Sequence, residues 1–261
     1  MMEVIECEVF GDESTSSNDR YGIYSLIGLK PLEVEYATLA LEQAKIEYNI
    51  PITSKLHCRV LFSGDKRAKT EWKELDGKKS AEFCKNLSSR LLKLNIFWSY
   101  GYIDLMELSH LPKPKTMEGK FSTDEGRGFS FDFGVKQAQK FAYSAAEWPF
   151  IQKFGLRARF WCDKETTKID WFFGKKQAQN IHGGISSPPK IIMPESYAPM
   201  LEIADLFAYT ASRHLSGSQQ FGQHVFRTIH EKFHPMANKF NLDPSLFGSD
   251  IKTQDWLNGK V

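Results

Sequence analysis

One acidic residue inside an apolar helical segment constrains this chain more than any other feature. Residues 200–209 read Met-Leu-Glu-Ile-Ala-Asp-Leu-Phe-Ala-Tyr, and in a helix Asp205 has apolar neighbours one and four residues away on both sides. A buried carboxylate without a partner is destabilising by several kcal/mol, so Asp205 must meet an arginine, a hydrogen-bond donor or a cation. Glu202 lies three residues earlier on the same side, and repulsion between neighbouring carboxylates favours a metal ion. A structural salt bridge or a capping aspartate is the alternative.

The rest of the chain alternates between strand-like and helix-like stretches. Strand patterns cover residues 3–10, 21–29, 54–62, 96–103 and 156–162, with the first two forming a hairpin. Helical patterns cover residues 32–48, 78–94, 130–147, 197–215 and 219–234. This mixture predicts an α/β protein in which a mixed sheet is flanked by helices.

Composition sets the size and the number of domains. The 261 residues are 41% hydrophobic and 13% aromatic, which is enough for a sizeable core and excludes a disordered chain. Residues 109–128 hold two prolines and three glycines among many charges, which predicts an inserted loop. We therefore expect one domain over residues 1–217 with this insertion, and a helical extension over residues 218–261 packed on it.

Charge and cysteine content exclude several classes of protein. The formal net charge of +2 indicates no particular partner, although residues 55–93 hold eleven Lys/Arg against five Asp/Glu. The four cysteines form no C-x-x-C pair, which excludes a cysteine zinc ribbon and a disulfide-dense scaffold. The acidic amino terminus and the absence of any run of roughly 18 apolar residues predict a soluble cytoplasmic protein with no membrane partner.

Further acidic residues stand at the ends of predicted strands. Asp12 and Glu13 follow the first strand, where rigid backbone holds side chains open to solvent, as metal ligands require. A turn is the alternative, since Asp is a common turn residue. Asp163 ends a later strand on the same face as Arg159, so it is either a third metal ligand or the partner of that arginine.

These segments, taken in order, resemble one family. Asp12-Glu13-Ser14, Lys55-Leu56-His57, the strand-end Asp163 and Leu201-Glu-Ile-Ala-Asp205 are similar to the bacterial and phage proteins grouped as domain of unknown function 3800. The resemblance spans about residues 4–215 and implies a ribonuclease H-like fold. Thr15 stands where that family often has glycine, and Glu202 stands where it usually has glutamine.

The resemblance also implies a chemistry. Ribonuclease H-like folds gather carboxylates from central strands and a late helix around two divalent cations, Mg²⁺ or Mn²⁺, about 4 Å apart. By motif position the metal ligands are Asp12, Asp163 and Asp205. Glu13 and Glu202 are candidate auxiliary groups, and His57 is a candidate for moving a proton or contacting phosphate, unless it is simply packed. Nucleic acid, DNA or RNA, would contact Arg59, Lys66, Arg67 and Lys69. We therefore expect a metal-dependent nuclease.

Two other functions remain open on the sequence. A non-catalytic nucleic-acid or partner-binding module would use the basic segment 55–93 and tryptophan side chains, with the acids in salt bridges. His230-Glu231-Lys-Phe-His234 fits the H-E-x-x-H motif of zinc proteases. Pro235 counts against a zinc site, because the residue before a proline avoids helical geometry.

Overall fold

An antiparallel hairpin lies at the centre of a five-stranded mixed sheet. The computed structural model describes residues 5–15, 20–104, 142–162, 193–217 and 222–240. The strands are β1 (Cys7–Thr15), β2 (Tyr21–Leu29), β3 (Phe97–Asp104), β4 (Ala158–Cys162) and β5 (Met236–Lys239). Their order is β4-β1-β2-β3-β5, with β1, β2 and β3 antiparallel, β4 parallel to β1 and β5 parallel to β3. From its second residue onward β2 is buried, as the central strand of a sheet covered on both faces should be.

Helices cover both faces of this sheet. They are α1 (Pro31–Glu47), α2 (Cys58–Leu61), α3 (Gly64–Arg67), α4 (Gly77–Leu91), α5 (residues 142–154), α6 (Ala198–Ser216) and α7 (Gln223–Phe233). Pro31 occupies the first turn of α1, where its missing N–H costs nothing. Gly217, with a φ of 58°, ends α6 in the left-handed conformation that glycine adopts without strain. Within the described residues no helix is both long and apolar enough to cross a membrane.

Strand alternation decides which side chains meet which helices. Phe10 of β1 belongs to the larger core cluster, which includes residues of α1, α4, α6 and α7. Val9 belongs to the smaller cluster, on the face covered by α5. Because successive side chains of a strand point to opposite faces, Asp12 shares the Phe10 face and Glu13 shares the Val9 face.

Most of the predicted architecture is confirmed. The hairpin, the mixed sheet and the flanking helices are as expected. The hairpin is longer than predicted, because β1 pairs with β2 as far as Thr15 opposite Gly22. Residues 218–261 are not wholly helical where they are described, since β5 follows α7 and joins the sheet beside β3. The predicted insertion at residues 109–128 lies outside the described residues.

The predicted strand over residues 54–62 is wrong. Ser54 lies in a turn that follows Pro51, and Cys58 begins the short helix α2. The backbone N–H groups of Leu56 and Cys58 are satisfied by carboxylates of α6 rather than by a neighbouring strand. The segment therefore packs as a loop against α6, although its residues alternate as those of a strand do.

Candidate functional site

Two carboxyl groups from distant parts of the chain meet where β1 packs against α6. Asp12 lies within β1, opposite Ser25 of β2, and not after the strand as the sequence predicted. Asp205 is the eighth residue of α6, and its side chain lies close enough to that of Asp12 for its charge and a hydrogen bond between the two groups to raise the pKa of Asp12. Such a bond requires a proton on one of the carboxyl groups. The structure thus brings together two of the three predicted metal ligands.

The environment of Asp12 favours its protonated form. Burial is the largest cause, followed by the negative charges of Asp205 and Glu13, and together they raise the pKa of Asp12 to about 9. A hydrogen bond from the backbone of Glu13 acts in the opposite direction but is weaker. The pair therefore holds a proton at neutral pH in the absence of a cation.

Asp205 also fixes the start of α2. Its Oδ2 accepts the backbone N–H of Cys58 at 2.5 Å, and its Oδ1 lies 3.1 Å from His57 Nδ1. The Asp205 side chain is 13% exposed, whereas that of His57 is 57% exposed. The hydrogen bond to Asp205 raises the pKa of His57 against the opposing effects of burial and of the nearby Arg59 and Lys66. His57 is thus a solvent-facing group held by a largely buried carboxylate.

Glu202 has a structural partner. Its Oε2 accepts from Lys45 Nζ of α1 at 2.7 Å and from the N–H of Leu56 at 2.7 Å. The Lys45 side chain is only 2% exposed, and its ammonium also donates to the carbonyl of Ile52 at 3.2 Å. This buried ion pair accounts for Glu202 without a metal ion, and its auxiliary role at the site stays a prediction.

Glu13 lies on the opposite face of the sheet from Asp12. It pairs with Tyr24, whose side chain belongs to the cluster covered by α5. A strand side chain on that face cannot reach a ligand held between Asp12 and Asp205 directly. The negative charge of Glu13 nevertheless contributes to the raised pKa of Asp12.

Asp163, the third predicted ligand, lies outside the described residues. The residue before it, Cys162, is the last of β4 and pairs with Gly11, the residue before Asp12. The alternative partner for Asp163 is already engaged, because Arg159 forms a two-point ion pair with Glu8.

Glu8 is a buried acid that is not among the predicted site residues. It is fully buried, and it also accepts the indole N–H of Trp161 at 2.6 Å. Strand alternation could have identified it, because it places Glu8 on the same apolar face as Phe10. In the parallel strand β4, Arg159 lies directly opposite Glu8. Glu8 and Arg159 join β1 to β4 next to the site.

The basic residues predicted to contact nucleic acid differ in their exposure and in their existing hydrogen bonds. Arg59, Lys66 and Lys69 are exposed, and the charges of Arg59 and Lys66 act on His57. Arg67 is half-buried and donates to the carbonyl of Leu61 at 2.6 Å, which holds α3 against the end of α2. Exposed positive charge therefore lies on the side of the site where His57 faces solvent.

The H-E-x-x-H segment is not arranged as a zinc site. Helix α7 ends at Phe233, and His234 has a φ of 46°, so the two histidines do not share a helical face. His230 faces inward, with Nε2 at 3.1 Å from the hydroxyl of Tyr100, and its ring stacks on that of His214 at 3.6 Å. The break before Pro235 is as the sequence predicted.

The described donors suit a hard divalent cation but do not complete a site. Across the described part of the chain, no group of three or more His, Cys, Asp or Glu side chains is gathered as a metal centre would require. Asp12 and Asp205 carry carboxylate oxygens, the type of donor that Mg²⁺ and Mn²⁺ prefer. Both carboxyl groups are partly buried, and their mutual repulsion, which raises the pKa of Asp12, is of the kind that a bound cation would relieve. No protein-family model, curated protein or solved structure matches this chain.

Proposed function

We propose that this protein is a metal-dependent nuclease with a ribonuclease H-like fold, related to the domain of unknown function 3800 proteins. The observation that carries the proposal is the close approach of the Asp12 side chain, on a central strand, to that of Asp205, on a late helix. That combination of elements is the one from which ribonuclease H-like folds draw their carboxylates. The mixed sheet flanked by helices is compatible with such a fold.

Asp12, Asp163 and Asp205 are the proposed ligands of Mg²⁺ or Mn²⁺. When bound, the cations would supply an activated water and stabilise the leaving oxygen at phosphorus. The pairing of Cys162 with Gly11 supports the inclusion of Asp163, which follows Cys162 in the chain. On binding a cation, Asp12 would give up its proton, because a metal ion then provides the positive charge that the proton provides without it.

His57 is the proposed contact to the scissile phosphate. The hydrogen bond to Asp205 orients its ring and favours the imidazolium, which attracts a phosphate oxygen. Arg59 and Lys66 add positive charge on the same side, where the backbone of a nucleic acid would lie. Glu202 and Lys45 would act as positioning residues, since they hold the loop that carries His57.

The test is cleavage of duplex DNA and single-stranded RNA with Mg²⁺ or Mn²⁺, using Asp12→Asn, Asp205→Asn and wild type. We expect each substitution to lower the rate by at least ~100-fold, because the ligand charge is lost while the shape of the side chain is kept. Glu35→Gln removes an exposed acid from α1 and is the matched control. Cleavage by both site variants at the wild-type rate would overturn the proposal.

A second function, a non-catalytic nucleic-acid or partner-binding module, is favoured by one observation. Both oxygens of Asp205 already have hydrogen-bond partners, so the residue also works as a cap for α2. This function predicts binding that weakens with salt, needs no metal and is not followed by cleavage. Binding without cleavage by metal-loaded wild-type protein would favour it over the nuclease.

A further inference from the structure

Helix α1 carries an exposed apolar stripe. Four of its large side chains face solvent, with exposed fractions of 71% for Leu32, 57% for Tyr36, 48% for Leu39 and 62% for Ile46. Their spacing of four, three and seven residues follows a heptad, with Gln43 at the position between Leu39 and Ile46. The stripe therefore runs straight along one side of the helix for about 21 Å.

This stripe is not needed for the core. The opposite side of α1 packs on the domain through Val34, Ala37, Leu41 and Ala44, all of which are buried. A helix at a protein surface normally presents one apolar face and one polar face. A second apolar stripe, interrupted here only by Gln43 and rimmed by polar residues, is typical of an interaction surface.

Acidic residues flank the stripe, and the two flanks differ. On one flank, Glu33 caps the helix start and binds Asn95, and Glu47 pairs with Arg90. On the other flank Glu35 and Glu42 form no salt bridge among the described residues. The stripe thus has negative charge available on one side only.

We propose that this face of α1 binds an amphipathic helix of a partner protein, with an apolar heptad stripe and Lys or Arg along one flank. The apolar residues would pack into the spaces between Tyr36, Leu39 and Ile46, and the basic flank would pair with Glu35 and Glu42. Charge complementarity selects this partner over an anionic lipid surface, which the glutamates would repel.

A second copy of the chain is a poorer occupant. If two α1 helices pair antiparallel, the same flank of each comes together, so Glu35 and Glu42 meet the same residues of the other copy. If they pair parallel, Glu42 faces Glu47, whose basic partner Arg90 is already engaged. Neither arrangement offers Glu35 and Glu42 a new basic partner, and the antiparallel one brings like charges together at positions that govern the choice of partner.

The experiment uses two synthetic peptides of three heptads with leucine at the core positions, one with lysine and one with glutamate at the flanks. Fluorescence anisotropy with the full chain is expected to show binding of the lysine peptide that weakens with salt, and at least ~10-fold weaker binding of the glutamate peptide. The double substitution Tyr36→Ser and Leu39→Ser should weaken binding of the lysine peptide by at least ~10-fold. Both residues are exposed, so thermal unfolding should be unchanged.

Two further variants make the result specific. Glu35→Lys with Glu42→Lys should reverse the preference, so that the glutamate peptide binds better. Trp148→Ser, at an exposed apolar residue of α5, is the matched control and should bind as wild type does. Equal binding of the two peptides by wild type would overturn the proposal. Sedimentation of a dimer that Leu39→Ser dissociates would overturn it too, because the occupant would then be a second copy.

Discussion

Replacing Asp12 with asparagine should make the metal-free protein more stable. The pKa of Asp12 rises from 3.8 to about 9 on folding, so between these values the folded state holds a proton that the unfolded chain releases. Stability from this group is therefore full below about pH 4 and falls as pH rises toward 9. At pH 7, which is 3.2 units above the ordinary pKa of 3.8, the free energy of unfolding is lowered by at most about 4 kcal/mol, at ~1.36 kcal/mol per pH unit.

Partial exposure of Asp12 and relaxation of its surroundings reduce this to ~1–3 kcal/mol. Asparagine keeps the shape of the side chain, carries no charge, and offers an N–H where the protonated acid offers an O–H toward Asp205. Because the repulsion and the desolvated charge are removed, the melting temperature of Asp12→Asn should rise by roughly 3–10 °C near pH 7.

The measurement is denaturant unfolding with EDTA at several values between about pH 5 and pH 9. We expect wild type to lose stability across this range more steeply than Asp12→Asn, and Glu35→Gln to follow wild type. Mg²⁺ should then stabilise wild type and leave Asp12→Asn almost unchanged, since ligand binding stabilises only the protein that binds it. If Asp12→Asn is less stable than wild type above pH 7 without metal, the two carboxyl groups are not the repelling pair that the geometry indicates.

Two further predictions concern buried ionisable groups outside the acid pair. Lys45→Met should be destabilising by about 3–5 kcal/mol in denaturant unfolding, because it leaves the Glu202 carboxylate without its counter-ion. Adding Glu202→Gln should restore much of that loss, and additive effects would contradict the ion pair. Burial and the charges of His214 and His234 lower the pKa of His230 from 6.5 to about 4. The folded state then binds fewer protons between these values, so stability should fall by ~1–2 kcal/mol as pH drops through this window. His230→Gln should flatten that decline, and an unchanged decline would assign it to other groups.

The sequence predicted that Asp205 needs a polar partner, but it identified only some of the groups that interact with it. In the structure three groups interact with its carboxylate, namely Asp12, His57 and the backbone N–H of Cys58. Asp12 and His57 were identified through the order of the motifs. The N–H group could not be, since backbone donors carry no sequence signal and depend on where a loop packs.

Lys45 was missed although a signal existed. It follows Leu41 and Ala44 on the side of α1 that packs inward, so the helical period alone puts a lysine in the core. A buried lysine requires a carboxylate, and Glu202 was the unpaired acid one turn before Asp205. An amide at position 202 would accept from Leu56 but would leave the Lys45 ammonium without a counter-ion. The glutamate is therefore explained by the lysine.

The loop before α2 alternates as a strand does, and its contacts with α6 explain why. His57 is extended, with φ and ψ of −139° and 106°, so the N–H groups of Leu56 and Cys58 point to the same side. In an extended chain these two N–H groups are about 6.6 Å apart, whereas Glu202 and Asp205 are separated by about 4.5 Å along the axis of α6. The flexible carboxylate side chains span the difference and accept both N–H groups. In a sheet, the carbonyl groups of a neighbouring strand would accept them instead. The same contacts orient Asp205 in the metal-free protein, so part of the side-chain ordering that the proposed metal site requires is already present.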